Sequence, residues 1–226
     1  MNVNINDLRA RFLRALSEAG ARGSGAALFE ELLARYGEAH RRYHTITHVD
    51  ACTGWLDWYR GSARHPERVE LALWFHDAVY DPQKSDNERQ SAALARSRLS
   101  ELGVPAVAVC EIEAHVLATE SHRSDAPDAK LMLDLDLAIL GTPSSAAFTS
   151  FERQIREEYG HVPEAAFHRG RSAVLSEFLA RPEIYRTPAL REELETRARS
   201  NLTQRLVELT EPCRAAIASA QSQPLE

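Results

Sequence analysis

Apolar residues recur along this chain every three or four positions, and no stretch alternates long enough to read as a strand. Residues 6–20, NDLRARFLRALSEAG, place Leu8, Phe12, Leu13 and Leu16 on one helical face, with Asn6 as N-cap and Gly20 as stop. Residues 24–37 repeat the design between Ser24 and Gly37. Residues 38–61 begin as a loop, turn helical around Thr45 to Thr47 and end at Gly61. Pro66 and Glu67 open a helix over 66–80, since proline and acid both suit a first turn. Helices follow over 85–104 (capped by Ser85 or Asp86, closed by Gly103) and 105–122. A polar loop covers 121–130. The pattern then gives helices over 131–141, 143–160, 163–182 and 189–211, and a frayed tail from about 212 to 226.

No Asn-Gly hairpin signal, internal repeat, low-complexity linker or composition shift interrupts this pattern. The expected fold is therefore all-α, one domain over 1–226 built as a bundle of roughly nine or ten helices. A chain of 226 residues buries a substantial core without staples. Cys52, Cys110 and Cys213 are too scattered for a disulfide framework or a cysteine metal knuckle. The net charge of −6 argues against a nucleic-acid polymer as partner, while a small phosphorylated molecule needs only a few local cations. No window approaches the ~20 apolar residues of a membrane span, and no apolar leader follows Met1. A cytoplasmic setting without membrane contact is the expectation; oligomeric state is left open.

One stretch breaks the apolar pattern. LALWFHDAVYD, residues 71–81, reads as core but holds His76 and Asp77 side by side. An uncompensated buried carboxylate costs roughly several kcal/mol. A salt bridge, a capping role or a cation would compensate it. Other imidazoles and carboxylates lie nearby in sequence: His44, His48, His115, His122, Asp134 and Asp136. This ligand mixture suits several divalent metals and selects none strongly. His48 near a helix start, His76-Asp77 near the end of the next helix and Asp136 inside a later one can meet in a bundle core. Neighbours on a helix point about 100° apart, so His76 and Asp77 share an ion only if the longer imidazole arm makes up the difference.

The order His48, His76-Asp77, Asp136 resembles the H…HD…D signature of the HD-domain metal-dependent phosphohydrolase superfamily. The resemblance is closer to a stand-alone bacterial branch. It is carried by RRYHTITHV (41–49), LALWFHDAVYD (71–81), SDNERQSA (85–92), ATESH (118–122), LDLDLAILG (133–141), IREEY (155–159) and FHRGR (167–171), and covers about residues 30 to 205. It implies an HD-type helical bundle and one divalent metal (Mn, Fe, Co, Ni, Mg or Zn) held by His48, His76, Asp77 and Asp136, with Asp134 as fallback for the last ligand. It implies hydrolysis of a phosphate ester or anhydride on a small metabolite such as a nucleotide. Asp77 or Glu88 would orient or deprotonate water, and His122, the third catalytic candidate, would bind the phosphate or a second metal. His44 and Asn87 would face substrate, and Lys84, Arg156, Arg169 and Arg171 would meet phosphate. His115 and His122 leave room for a second metal.

Each residue also has a plain structural role to fill. Asp77 could cap the turn, Asn87 and Glu88 could simply open a helix, and His115 could be a core histidine. Asp134 and Asp136 cannot share one helical direction, so one of them would be solvated or capping. The arginines could form surface ion pairs, and Trp55, Trp58 and Trp74 could be core or site wall. Two further functions compete: a non-catalytic metal- or ligand-binding module that kept the fold, and a diiron HD oxygenase of diols. The latter would bring more histidine ligands and a substrate lysine than this chain shows.

Overall fold

The computed structural model describes residues 3–221, with side chains to residue 210. Its elements in order are α1 (Ile5–Glu18), α2 (Ala26–Tyr36), α3 (Ile46–Tyr59), α4 (Pro66–Phe75), α5 (Asn87–Glu101), α6 (Ala106–Leu117), α7 (Pro127–Asp136), α8 (Ser145–Glu158), α9 (Glu164–Ala180) and α10 (Pro188–Gln221). Short 3-10 turns follow α3, α6 and α7. Ten α-helices and no strand among the described residues make the fold all-α. By their contacts the residues group into two compact units, 1–138 and 139–226, where the sequence pattern led us to expect one domain.

In the first unit α4 is the central helix. Every residue from Val69 to Phe75 is buried, as expected of a helix apolar on nearly all sides. Helices α1, α3, α5, α6 and α7 pack around it. Trp74 meets Phe12 of α1 at 5.1 Å and Phe29 of α2 at 5.8 Å between ring centroids. Glu70 is the acid in this buried run, and Arg11 and Arg60 approach its carboxylate at 2.8 and 3.2 Å. Burial pushes its pKa up and the arginines only partly oppose this. Gly25, the N-cap of α2, has φ +65°, and a β-carbon there would run into the Leu16 side chain.

Several helix ends differ from expectation. Asn4 rather than Asn6 caps α1, its side chain accepting from the Asn6 N–H. Gly25 rather than Ser24 occupies the α2 cap. Helix α7 starts at Pro127, inside the expected polar loop, because Asp128 is drawn into the protein. Its carboxylate accepts from the Arg64 and His65 N–H groups at 2.8 Å each, just before α4. Trp74 is core, whereas Trp58 is 86% exposed and walls nothing in. Part of the expected frayed tail is backbone of α10, and residues 222–226 lie outside the described residues.

His115 on α6 is a buried histidine, as its core reading required. Burial lowers its pKa, with Asp128 and Glu111 opposing and Arg68 assisting. The unfolded chain then binds a proton that the folded one resists, so this contribution to stability is full above the ordinary histidine pKa and is lost as pH falls below it. We expect the melting temperature to fall between about pH 7 and 5, and to fall less in His115→Gln. Equal acid-side losses in thermal melts of both proteins would refute this.

The second unit contains α8, α9 and α10, with α9 packed on α10. Leu190, Leu194, Ala198 and Leu202 form the buried stripe of α10 at every fourth residue. Gly141 lies against Leu194, whose carbonyl oxygen would be 2.9 Å from any added β-carbon. Buried Glu152 joins the three helices by pairing with Arg171 and Arg205. No single described helix is long and apolar enough to cross a membrane.

Candidate metal centre

Helix α4 ends at Phe75, five residues before the expected boundary, and this early stop builds the site. His76 is its C-cap and Asp77 already lies in the turn that follows. The helical rule that separates neighbouring side chains no longer applies to Asp77. His76 Nε2 and Asp77 Oδ2 therefore converge to 3.0 Å.

Three other elements deliver their groups to the same place. His48 is in the first turn of α3, Asp136 is the last residue of α7, and His122 follows the 3-10 turn Ala118–Glu120. His48 Nε2 is 3.1 Å from His76 Nε2 and 3.0 Å from Asp136 Oδ1, and His76 Nε2 is 3.3 Å from that same oxygen. Asp77 Oδ2 is 3.8 Å from His48 Nε2. The His48, His76 and Asp136 ligand atoms all lie within 4.8 Å of one another and could hold a metal ion. Metal–ligand bonds of about 2.0–2.2 Å place neighbouring ligand atoms about 3.0–3.5 Å apart, and the triangle has edges of that length. The imidazoles are 1–3% exposed and the Asp77 and Asp136 carboxylates 20% and 13%. Solvent therefore reaches the cluster on its carboxylate side.

The tautomer of His76 also fits a ligand. Its Nδ1 lies 2.8 Å from the Leu73 carbonyl, which can only accept, so Nδ1 carries the proton and Nε2 of the neutral ring presents a lone pair to the cluster. Without a metal, a proton must serve. Burial alone would lower the His76 pKa, but Asp77 and Asp136 outweigh it and hold the imidazole well above the ordinary value. Burial would raise both carboxylates; instead the facing imidazoles keep Asp77 and Asp136 below the usual range. Cys52 lies one turn after His48, its Sγ 3.6 Å from Nδ1. Burial and the two carboxylates push its pKa up, so it remains a thiol.

Side chains hold the turn that carries Asp77. The guanidinium of Arg41, 0% exposed, donates to the carbonyls of His44 (3.0 Å), Asp77 (2.7 Å) and Ala78 (3.3 Å). It also lies over the rings of Tyr36 and Tyr80. Ser91 Oγ accepts from the Val79 N–H at 3.0 Å and donates to the Val79 carbonyl at 3.2 Å. His40 Nε2 lies 2.7 Å from the Tyr80 carbonyl. Asn87 accepts from the Asp81 N–H and donates to the Asp81 carbonyl. Each carbonyl from Asp77 to Asp81 is thus met by a side chain, as backbone leaving a helix inside a protein requires. Arg41, Ser91 and His40 were missed as site residues in the sequence, although all lie in or beside the motifs quoted above. Hydrophobic periodicity cannot register a side chain whose partner is a distant carbonyl.

The remaining candidates divide. His44 is half-buried with its ring 4.3 Å from Tyr80, and its charge helps lower the Asp77 pKa. Both ends of the Asn87 amide are engaged by the loop. Glu88 is half-buried in the first turn of α5, and Lys84 is exposed. Asp134 is buried, neither solvated nor one of the three clustered ligands. In the second unit Arg156 donates to the Tyr159 and Val162 carbonyls, Arg171 pairs with Glu152, and Arg169 is exposed. No protein-family model, curated protein or solved structure matches the chain.

Proposed function

We propose that this chain is a metal-dependent phosphohydrolase of the HD type, acting on a small phosphorylated metabolite, most simply a nucleotide. His48, His76, Asp77 and Asp136 would hold one divalent ion. The observation that carries this reading is the His76 ring: its Nδ1 proton is committed to the Leu73 carbonyl while Nε2 faces His48 and Asp136. Two buried imidazoles with facing ring nitrogens and two carboxylates form a donor set that a divalent cation neutralises. A divalent ion held there would lower the pKa of a bound water toward neutrality and polarise a phosphoryl oxygen.

The chain's own groups would do the rest. Asp77 has the more exposed carboxylate, so it can orient a water and accept its proton while remaining close to both imidazoles. Half-buried Glu88 is the second candidate for that proton. His44, near enough to lower the Asp77 pKa, would face the substrate. Exposed Lys84, in the loop before α5, would meet a phosphate.

The test is elemental analysis of protein purified without chelators, paired with phosphate release from a nucleotide panel under added Mn, Co, Ni, Mg and Zn. Near-stoichiometric metal and metal-dependent release are expected. Metal without release from any compound would favour a binding module or diol oxidation at a diiron centre. No metal under any condition would reject the reading.

A further inference from the structure

Among the described residues His122 is the one non-glycine with a positive φ, +49°. This left-handed conformation is strained for a residue with a β-carbon, and such strain persists only where surrounding contacts hold it. One such contact is with Asp136. His122 Nε2 lies 3.1 Å from Asp136 Oδ2, while Oδ1 of the same carboxylate lies 3.0 Å from His48 Nε2 and 3.3 Å from His76 Nε2. The two oxygens are divided between partners: the inner one faces the imidazole pair and the outer one faces His122. A carboxylate oxygen only accepts, so in this metal-free hydrogen bond His122 donates its Nε2 N–H. While that bond is made, the nitrogen has no lone pair for an ion.

We propose that His122 is a positioning residue that uses the left-handed corner after residues 118–120 to fix the rotation of the Asp136 carboxylate. With Oδ2 held, Oδ1 stays aimed between His48 and His76. Without it the carboxylate turns about its last bond and presents either oxygen or neither. The consequence is a site set for metal affinity before any metal arrives. This rests on the metal-centre reading above. It differs from a role as acid, base or ligand, because His122 acts only through Asp136.

The experiment measures Zn2+ affinity and equivalents bound, by chelator competition, for wild type, His122→Ala and His122→Gln, with melting of each metal-free protein. The glutamine amide nitrogen can stand where Nε2 stands and donate the same hydrogen bond. We expect His122→Ala to bind one equivalent about 10–100-fold more weakly, with a small fall in metal-free melting temperature from the lost hydrogen bond, and His122→Gln to recover most of that affinity. Alanine binding as tightly as wild type overturns the proposal. So does an affinity loss that His122→Gln shares in full while its metal-free melting matches wild type, because the donated hydrogen bond would then not set the affinity. Loss of a second equivalent that wild type holds would make His122 a ligand and also overturn it. Wild type holding no Zn2+ would fail the metal reading itself, and is distinguished by needing no variant.

Discussion

His76→Ala is expected to abolish stoichiometric metal binding and to remove the loss of metal-free stability that wild type shows as pH rises through the raised His76 pKa. The ring is 1% exposed, its tautomer is fixed by the Leu73 carbonyl, and its Nε2 is within 3.3 Å of His48, Asp77 and Asp136 groups. Removing it deletes a ligand and also the imidazolium that compensates two carboxylates in the metal-free protein. Breaking one partner of a buried charge pair costs about 3–5 kcal/mol; the partial exposure of both carboxylates places the loss at or below the lower end. In metal-free wild type the His76 pKa is raised, so the folded state binds a proton that the unfolded chain has released. That contribution is full below the ordinary histidine pKa and is lost as pH rises through the raised value. Metal binding runs the other way, because the proton must leave before the ligand can bind. The difference in melting temperature between metal-loaded and metal-free wild type should therefore widen from pH 6 to pH 8, and the alanine variant should show no metal-dependent difference at either pH. A constant difference in wild type, or a metal-dependent one in His76→Ala, would remove His76 from the ligand set.

The cluster of His48, His76 and Asp136 was legible in sequence as an order of residues, and its geometry was not. The pattern through residues 71–80 stays apolar past His76, with Ala78, Val79 and Tyr80, so periodicity extends α4 across the pair that matters most. The helix stops at Phe75 because the following carbonyls find better partners in Arg41, Ser91, His40 and Asn87 than in the next turn. Those partners come from elements 12 or more residues away in most cases, and a local pattern does not contain them. The same holds for α7, whose early start at Pro127 depends on Asp128 reaching the backbone before α4. Burial of α4 itself was plain from its composition. The motif RRYHTITHV joins two kinds of residue that look alike in sequence: His48, whose side chain faces the cluster, and Arg41, which meets the backbone of the turn carrying Asp77.

Arg41→Ala carries the second large expected effect, and it separates those kinds. The wild-type guanidinium is sealed from solvent and donates to carbonyls on both sides of the site, His44 on the approach to α3 and Asp77 and Ala78 on the turn after α4. It ties the segment that delivers His48 to the segment that delivers Asp77. Alanine leaves these buried acceptors without donors, at about 1–3 kcal/mol each, and opens a void between Tyr36 and Tyr80. Relaxation and water entry recover part of this, so we expect about 3–5 kcal/mol of lost stability in urea unfolding. Metal affinity should fall about 10–100-fold although no ligand has been removed. Lysine keeps a charge but lacks the planar fork, so it can satisfy one or two of the three carbonyls. Arg41→Lys should therefore lie between wild type and alanine in both stability and affinity. If Arg41→Ala were folded and bound metal as tightly as wild type, the two segments would be held in register by the helices alone, and the side-chain bracket around residues 77–81 would be dispensable to the site.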